Sequence, residues 1–559
     1  MNKIQILTVP IVSAFLLVSG CSTPGPTVAS APGSTGASLY GGFGDYSRAV
    51  TTDSPKAQMW FDQGMQLLYG FNHDEAIRAF TESAAHDPDC AMAYWGIAYA
   101  NGININDPLM SNERNRQAYS AATRAMELID NVTQAERGLI EAINARYDWP
   151  APKDRGSLDK AYAHAMGKAW KSNPRDPDIG AIYAESLMNL QPWDYWNDDG
   201  EPVGRIEEVV ETLERVMAMR PDHAGACHFY IHAVEASSDP DRAVAAADNL
   251  TTLVPASGHL VHMPSHIYIR VGRYADAAVS NEAAIIADRA YFEAAPKEQG
   301  FYQLYYAHNM HFLAFAAMME GRYETAIKAA RELESEIPEA FVRQTPEMVE
   351  GLMSTSLHVM IRFGKWEEIL EEPEPAEFRL MSRAVRHYAR GISYSALGRT
   401  EEAHTEMAAF ETAIDRVPQD WWIFNNRLHE VLPIARAMLA GELAFREGRT
   451  SEAFEILREG VAAEDSLVYD EPPGWMLPVR HALGALLMAD GHYVEAERVY
   501  REDLRRNRDN GWSLLGLQQS LLAQGKPREA SMLDTRLAMA WPRKDINPKS
   551  SCYCEPGTD

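Results

Sequence analysis

The sequence predicts an all-α fold, an α-solenoid of helix–turn–helix repeats with helical insertions, and three observations carry that prediction. The first is a turn that recurs at Gly272-Arg273-Tyr274, Gly321-Arg322-Tyr323, Gly364-Lys365-Trp366, Gly398-Arg399, Gly448-Arg449, Gly491-His492-Tyr493 and Gly525-Lys526. Glycine there ends one helix in a left-handed residue, and the aromatic that usually follows opens the next. The second is an alanine shortly into the second helix, at Ala76, Ala243, Ala277, Ala326, Ala403, Ala453, Ala496 and Ala530, where close helix crossing demands a small side chain. The third is a set of prolines, Pro88, Pro221, Pro255 and Pro338, that stop second helices because the ring lacks an N–H and clashes with the preceding turn. No run of alternating β-branched residues is long enough to suggest a sheet.

Taken from the N-terminus, residues 1–20 read as a signal peptide. Lys3 supplies a positive start and Ile11 to Val18 a short apolar run, well under the ~20 residues that span a bilayer. Val18-Ser19-Gly20-Cys21 resembles a bacterial lipobox, and that resemblance implies that Cys21 is the lipidated first residue of the mature chain. Ser22 stands where an inner-membrane retention aspartate would sit, so the expected location is a lipid-anchored cell-envelope protein, on the outer membrane facing the periplasm. Residues 21–50 are rich in Ser, Gly and Pro and act as a flexible tether.

Residues 51–103 form the first repeat. Trp60, Gly64, Ala76, Phe80 and Pro88 fit a 34-residue pattern, with departures at Gln63 and Leu67. On these residues the chain resembles the tetratricopeptide-repeat (TPR) superfamily over roughly residues 55–541, and a His-rich bacterial TPR lipoprotein subgroup within it. The resemblance implies a fold and no chemistry. Residues 104–176 break the register as a helical insertion: a helix from Ser111, one opened by the capping box Thr133-x-x-Glu136, and one from about Ser157. Repeats resume over 177–541, where Gly391, Gly441 and Gly484 match the small position of the first helix. In a solenoid each repeat contacts mainly its neighbours, so truncation after residue 400 should leave a folded N-terminal part. The loop at 191–203 brings Trp193 and Trp196 to one place, as part of a binding groove or as a plug. Residues 542–559 form a tail whose Cys552 and Cys554 can bridge or bind metal but read as exposed, while Cys90 and Cys227 read as small buried thiols.

The repeat register exposes the most informative pattern. His228 and His232 fall at repeat positions 5 and 9, His259, His262 and His266 at 2, 5 and 9, His308 and His311 at 2 and 5, and His358 at 9. These positions share one narrow helical face, opposite the packing positions. With 17 histidines in 559 residues, chance would place fewer than one on this face. His228-x3-His232-x2-Glu235 and His262-x3-His266 carry the i, i+4 spacing at which two imidazoles share an ion. Neutral imidazole suits Zn, Cu, Fe or Ni, and Glu235 is a candidate ligand or base. The alternative is a groove of imidazoles that bind an organic ligand without metal. Pro264 either kinks its helix or starts it, and in the second case His259 and His262 lie in a loop. His73 reads as a turn residue and His481 as a lone groove histidine; His86, His164, His223, His387, His404, His429 and His492 read as surface.

Acidic residues outnumber basic ones 79 to 52, a net charge of −27. That balance argues against nucleic acid and anionic lipid and favours cations. Phosphate loops, dinucleotide fingerprints, nucleophile elbows and C-x-x-C pairs are absent, and Phe229 replaces the glutamate of the H-E-x-x-H pattern. The expected function is a membrane-anchored solenoid that binds a protein or peptide partner in a His-rich concave groove, with or without a divalent transition metal such as Zn, Cu or Fe. The alternative is a metalloprotein or metal-dependent enzyme using the same histidines.

Overall fold

The computed structural model describes residues 37–197, 200–295 and 300–552, and within them helix follows helix from Pro55 to Ala540. The signal peptide, Cys21, most of the tether and Cys554 lie outside the described residues. One two-residue strand pair, Trp422–Ile423 with Asn426–Arg427, and two isolated bridges are the only sheet-like pairings among the described residues. No described helix is long and apolar enough to cross a membrane.

Each repeat device works as its chemistry dictates. All seven turn glycines have φ between 65° and 81°, a conformation that a Cβ would strain. The eight recurring alanines are all buried to 1% exposure or less. Helices ending at His86, Met219, Leu253 and Glu336 each stop two residues before their proline. The insertion forms helices Asn112–Glu127, capped by Ser111, Gln134–Asn144, with the full Thr133/Glu136 capping box, and Gly156–Ser172. Cys90 and Cys227 are buried free thiols, and Cys552 is disulfide-bonded, so the tail bridges rather than stays unpaired.

The array does not stay open. Trp512 donates its indole N–H to the Met318 carbonyl at 2.9 Å, and Trp541 donates to Met319 at 3.0 Å. Arg543 pairs with Glu320 at 2.6 Å. From the other end, the Tyr40 ring meets Tyr291, and Asn106 donates to the Tyr305 hydroxyl at 3.4 Å. The first repeat joins them through Glu75, which accepts from the Tyr291 hydroxyl at 3.3 Å, so both ends of the array reach the same central helices. This corrects the expectation of neighbour-only contact: a chain ending at residue 400 would leave the Met318 and Met319 carbonyls without the indoles that cap them.

Candidate metal centre

Five central helices carry the histidines. Ala224–Val234 holds His228 and His232, with Glu235 at its C-cap. Gly258–His262 and Pro264–Arg270 hold His259, His262 and His266. Pro264 occupies the first turn of its helix, where a missing N–H costs nothing, and Met263 between the two keeps helical angles. The segment is a kinked continuation, so His259 and His262 are helical and not in a loop. Tyr302–Glu320 supplies His308 and His311, and Thr355–Arg362 supplies His358.

Six of these histidines meet. Ring centroids step from His308 to His262 (4.6 Å), His266 (4.7 Å), His232 (5.5 Å), His228 (4.9 Å) and His259 (4.9 Å). His228 and His262 have no exposure, and His232, His259 and His266 have at most 3%. The expected open, imidazole-lined surface is therefore a core. Closure of the superhelix, together with side chains from distant loops, covers the face that the helical pattern alone leaves bare. His308 alone of the six keeps partial exposure.

Hydrogen bonds set the tautomers. His228 Nδ1 lies 2.7 Å from the Tyr69 carbonyl, which can only accept, so that nitrogen carries the proton. His262 Nδ1 faces Asn281 Oδ1 at 2.7 Å, and Asn281 is oriented by its own amide donation to Ala277. His232 and His266 donate from Nδ1 to the two oxygens of Glu235, at 2.7 and 2.5 Å. Four imidazoles thus have Nδ1 tied back and an Nε2 lone pair facing inward, the arrangement in which an outer acceptor orients a ligating histidine and raises its basicity. Glu235, expected as ligand or base, has both oxygens engaged by ring N–H groups and acts from behind the imidazoles.

The inward nitrogens are mismatched without a cation. His262 Nε2 and His266 Nε2 stand 2.8 Å apart, two lone pairs face to face. His228 Nε2 and His259 Nε2 stand 3.1 Å apart, and His259 Nδ1 has no partner, so either tautomer of His259 leaves one buried nitrogen unmatched. His232 Nε2 is likewise buried and without a hydrogen-bond partner. Buried polar atoms in native proteins are nearly always satisfied, and a cluster of exceptions calls for an ion or water. Burial, then neighbouring imidazoles, holds the pKa values of His228, His259 and His308 well below the ordinary histidine value, and His262 likewise. Burial opposes ionisation of Glu235, yet the two imidazole donors bring it down to about 2.

Aromatic side chains wall the cluster. Phe71 lies 4.5 Å from His228 and 5.5 Å from His259; Phe312 lies 5.1 Å from His262; Phe424 lies 5.1 Å from His308; Tyr305 lies 4.4 Å from His259. Of the four described non-glycine residues at positive φ, three touch these histidines: Phe71 (54°), Trp193 (65°) and Phe424 (50°). Left-handed backbone at a bulky residue costs on the order of 1–3 kcal/mol and collects at functional sites. Sequence reasoning missed Phe71 and Phe424, since nothing local marks a left-handed phenylalanine.

The remaining expectations fall differently. His311 sits beside Phe424 at 5.6 Å and His358 beside Trp475 at 4.8 Å, and neither joins a metal-ready group among the described residues. Burial lowers their pKa values to about 3 and about 4. Trp193 packs on His232 and donates to the Ile105 carbonyl, while Trp196 donates to Ala233, so both plug the array. His223 is not at the surface: it is buried against Asp178 at 3.2 Å. Glu471, missed from sequence, is buried with both oxygens unpartnered, 3.8 Å from His266 Nδ1, and burial followed by the charge of Glu235 raises its pKa.

No protein-family model matches the chain, and no curated protein matches it. Among solved structures it is similar to human IFIT1, seen as a dimer with m7Gppp-AAAA, at 12% identity over 86% of this chain and 96% of that one, TM-score 0.33. It is also similar to the TPR domain of P58(IPK), at 14% identity over 67% and 95% of the two chains, TM-score 0.19. Yeast Tom70 gives 11% identity over 86% and 91%, TM-score 0.29. The likeness is one of repeated helices and brings no chemistry to this chain.

Proposed function

We propose that this chain is a metalloprotein, a TPR-type solenoid that holds a late first-row transition metal in its core on His228, His232, His259, His262, His266 and His308. One observation carries the reading: His262 and His266, anchored through Nδ1, aim Nε2 lone pairs at one another across 2.8 Å, while His232 Nε2 and one nitrogen of His259 are buried beside them without a partner. All-imidazole donors suit Zn, Cu, Fe or Ni. A net charge of −27 raises the local concentration of cations around the protein.

A protein or peptide partner, in this reading, docks on the outer faces of the helices, because the protein's own aromatics fill the space around the histidines. The lipid on Cys21 tethers the body to the outer membrane on its periplasmic side. Metal analysis of protein purified without a polyhistidine tag tests the central claim. Bound Zn, Cu, Fe or Ni that is retained on dialysis supports it, and metal-free protein that binds none of the four on addition overturns it. Fractionation of Cys21→Ala tests the anchor: the variant leaves the membrane fraction or keeps its signal uncleaved, whereas a cleaved, membrane-bound variant points to a protein anchor.

A further inference from the structure

The six histidines divide into two all-imidazole groups, and a third group, His232, Glu235 and His266, straddles them. His228, His232 and His259 offer three ligand nitrogens within 4.8 Å of one another, and His262, His266 and His308 do the same. Resting on the metal reading above, we propose that the centre is dinuclear, with two late first-row ions side by side, each on three imidazoles.

Three features of the site separate two ions from one. Each group contains its own opposed pair of nitrogens, His228 with His259 and His262 with His266. A single ion placed in one group leaves the mismatch in the other. The shortest ring contacts also fall within the groups, at 4.6–4.9 Å, and the two that join the groups, His232 with His266 and His259 with His262, are longer at 5.5 and 6.0 Å. Lastly, Glu235 takes one histidine from each group, His232 through one oxygen and His266 through the other. A single carboxylate therefore holds the two half-sites in register and shares its negative charge between them. An ion at about 2.0–2.1 Å from three imidazole nitrogens sets those nitrogens roughly 3.4 Å apart, which small ring rotations within each group supply. Three protein ligands leave a position open on each ion, as in sites that take an exogenous ligand.

The two mismatches resolve independently, so the half-sites are separable by mutation. Full-length, tag-free protein is stripped of metal, dialysed against Zn(II) or Cu(II), and its metal content per chain is measured. Wild type is expected to hold two ions, His228→Ala with His259→Ala one, and His262→Ala with His308→Ala one. Glu235→Gln weakens both ions together. A wild type that holds a single ion, lost on either double substitution, overturns the pair and leaves the metalloprotein reading intact; a wild type that holds none overturns both. Because the substituted cores can misfold, electron paramagnetic resonance of wild-type Cu(II) protein provides a second measure. At two equivalents the signal broadens or disappears relative to one equivalent. Simple doubling of an isolated-ion spectrum overturns adjacency.

Discussion

His481 and the six-histidine cluster are both buried imidazole sites in the same solenoid, and they are wired in opposite ways. His481 Nδ1 accepts from Arg362 at 3.0 Å, and its Nε2 donates to Asp503 at 3.0 Å. Asp503 in turn accepts from Ser513 at 2.7 Å and Asn510 at 2.9 Å. One tautomer satisfies both ring nitrogens of His481. In the cluster no choice of tautomers does: donors point outward to Tyr69, Asn281 and Glu235, and lone pairs converge. Burial of a histidine therefore says little about function. What distinguishes a structural imidazole from a ligating one is whether its second nitrogen meets a donor or another lone pair.

The largest effect that sharpens the contrast is on metal content. His232→Ala with His266→Ala removes one ligand from each half-site and should lower affinity at least 100-fold, read by metal analysis and titration calorimetry, whereas His481→Ala should leave it unchanged. Equal metal loss in His481→Ala would erase the distinction. Stability should respond the other way. Removing His481 takes one hydrogen bond from the Asp503 carboxylate and one from Arg362, and leaving buried groups short of a partner costs about 1–3 kcal/mol in denaturant unfolding.

Acid comes next. For His228, His259, His262 and His308 the folded-state pKa lies well below the unfolded value, and for His311 and His358 it falls to about 3 and about 4. Below about pH 6.5 the unfolded chain takes up protons that the folded one refuses, so stability present above that pH is lost as pH falls. Each such histidine contributes up to ~1.4 kcal/mol per pH unit until its folded pKa is reached. Metal-free protein should unfold steeply between pH 6.5 and 4, and bound metal should shift that transition to lower pH. A flat stability profile across this range would mean that the cluster carries charge when folded.

Smaller still is Glu235→Gln, expected to weaken metal binding by roughly 10–100-fold, the usual cost of losing an outer-shell partner. Smallest is Phe424→Gly, in which relief of a left-handed backbone worth about 1 kcal/mol partly offsets the lost packing of the ring on His308 and His311, so stability should fall slightly while metal exchange at His308 speeds up. Unchanged exchange kinetics would show that Phe424 does not cover His308.

Much of this was legible from local chemistry. The turn glycines, crossing alanines and terminating prolines each act within a few residues, and the same register put eight histidines on one helical face, six of which meet. The capping box at Thr133 and Glu136 and the helical insertion were equally local. Less legible were the residues that decide what the histidines do. Tyr69, Phe71 and Phe424 come from elements far along the chain and Asn281 from the helix that follows His266, and their contact with the cluster is a property of how helices pack against one another. His311 and His358 share the face in the helical pattern yet sit apart, because the position of a residue on its own helix says nothing about the distance to the next.

Helical periodicity, read from sequence alone, determined that this chain is a solenoid and which side chains share a face, because backbone hydrogen bonds and turn sterics are settled within about one helical turn. Tertiary structure decided that the face is a closed core, that Glu235 stands behind its histidines, and that the imidazoles form two groups. Those outcomes depend on which nitrogen finds an acceptor across the closed superhelix, and that is fixed only when distant helices pack.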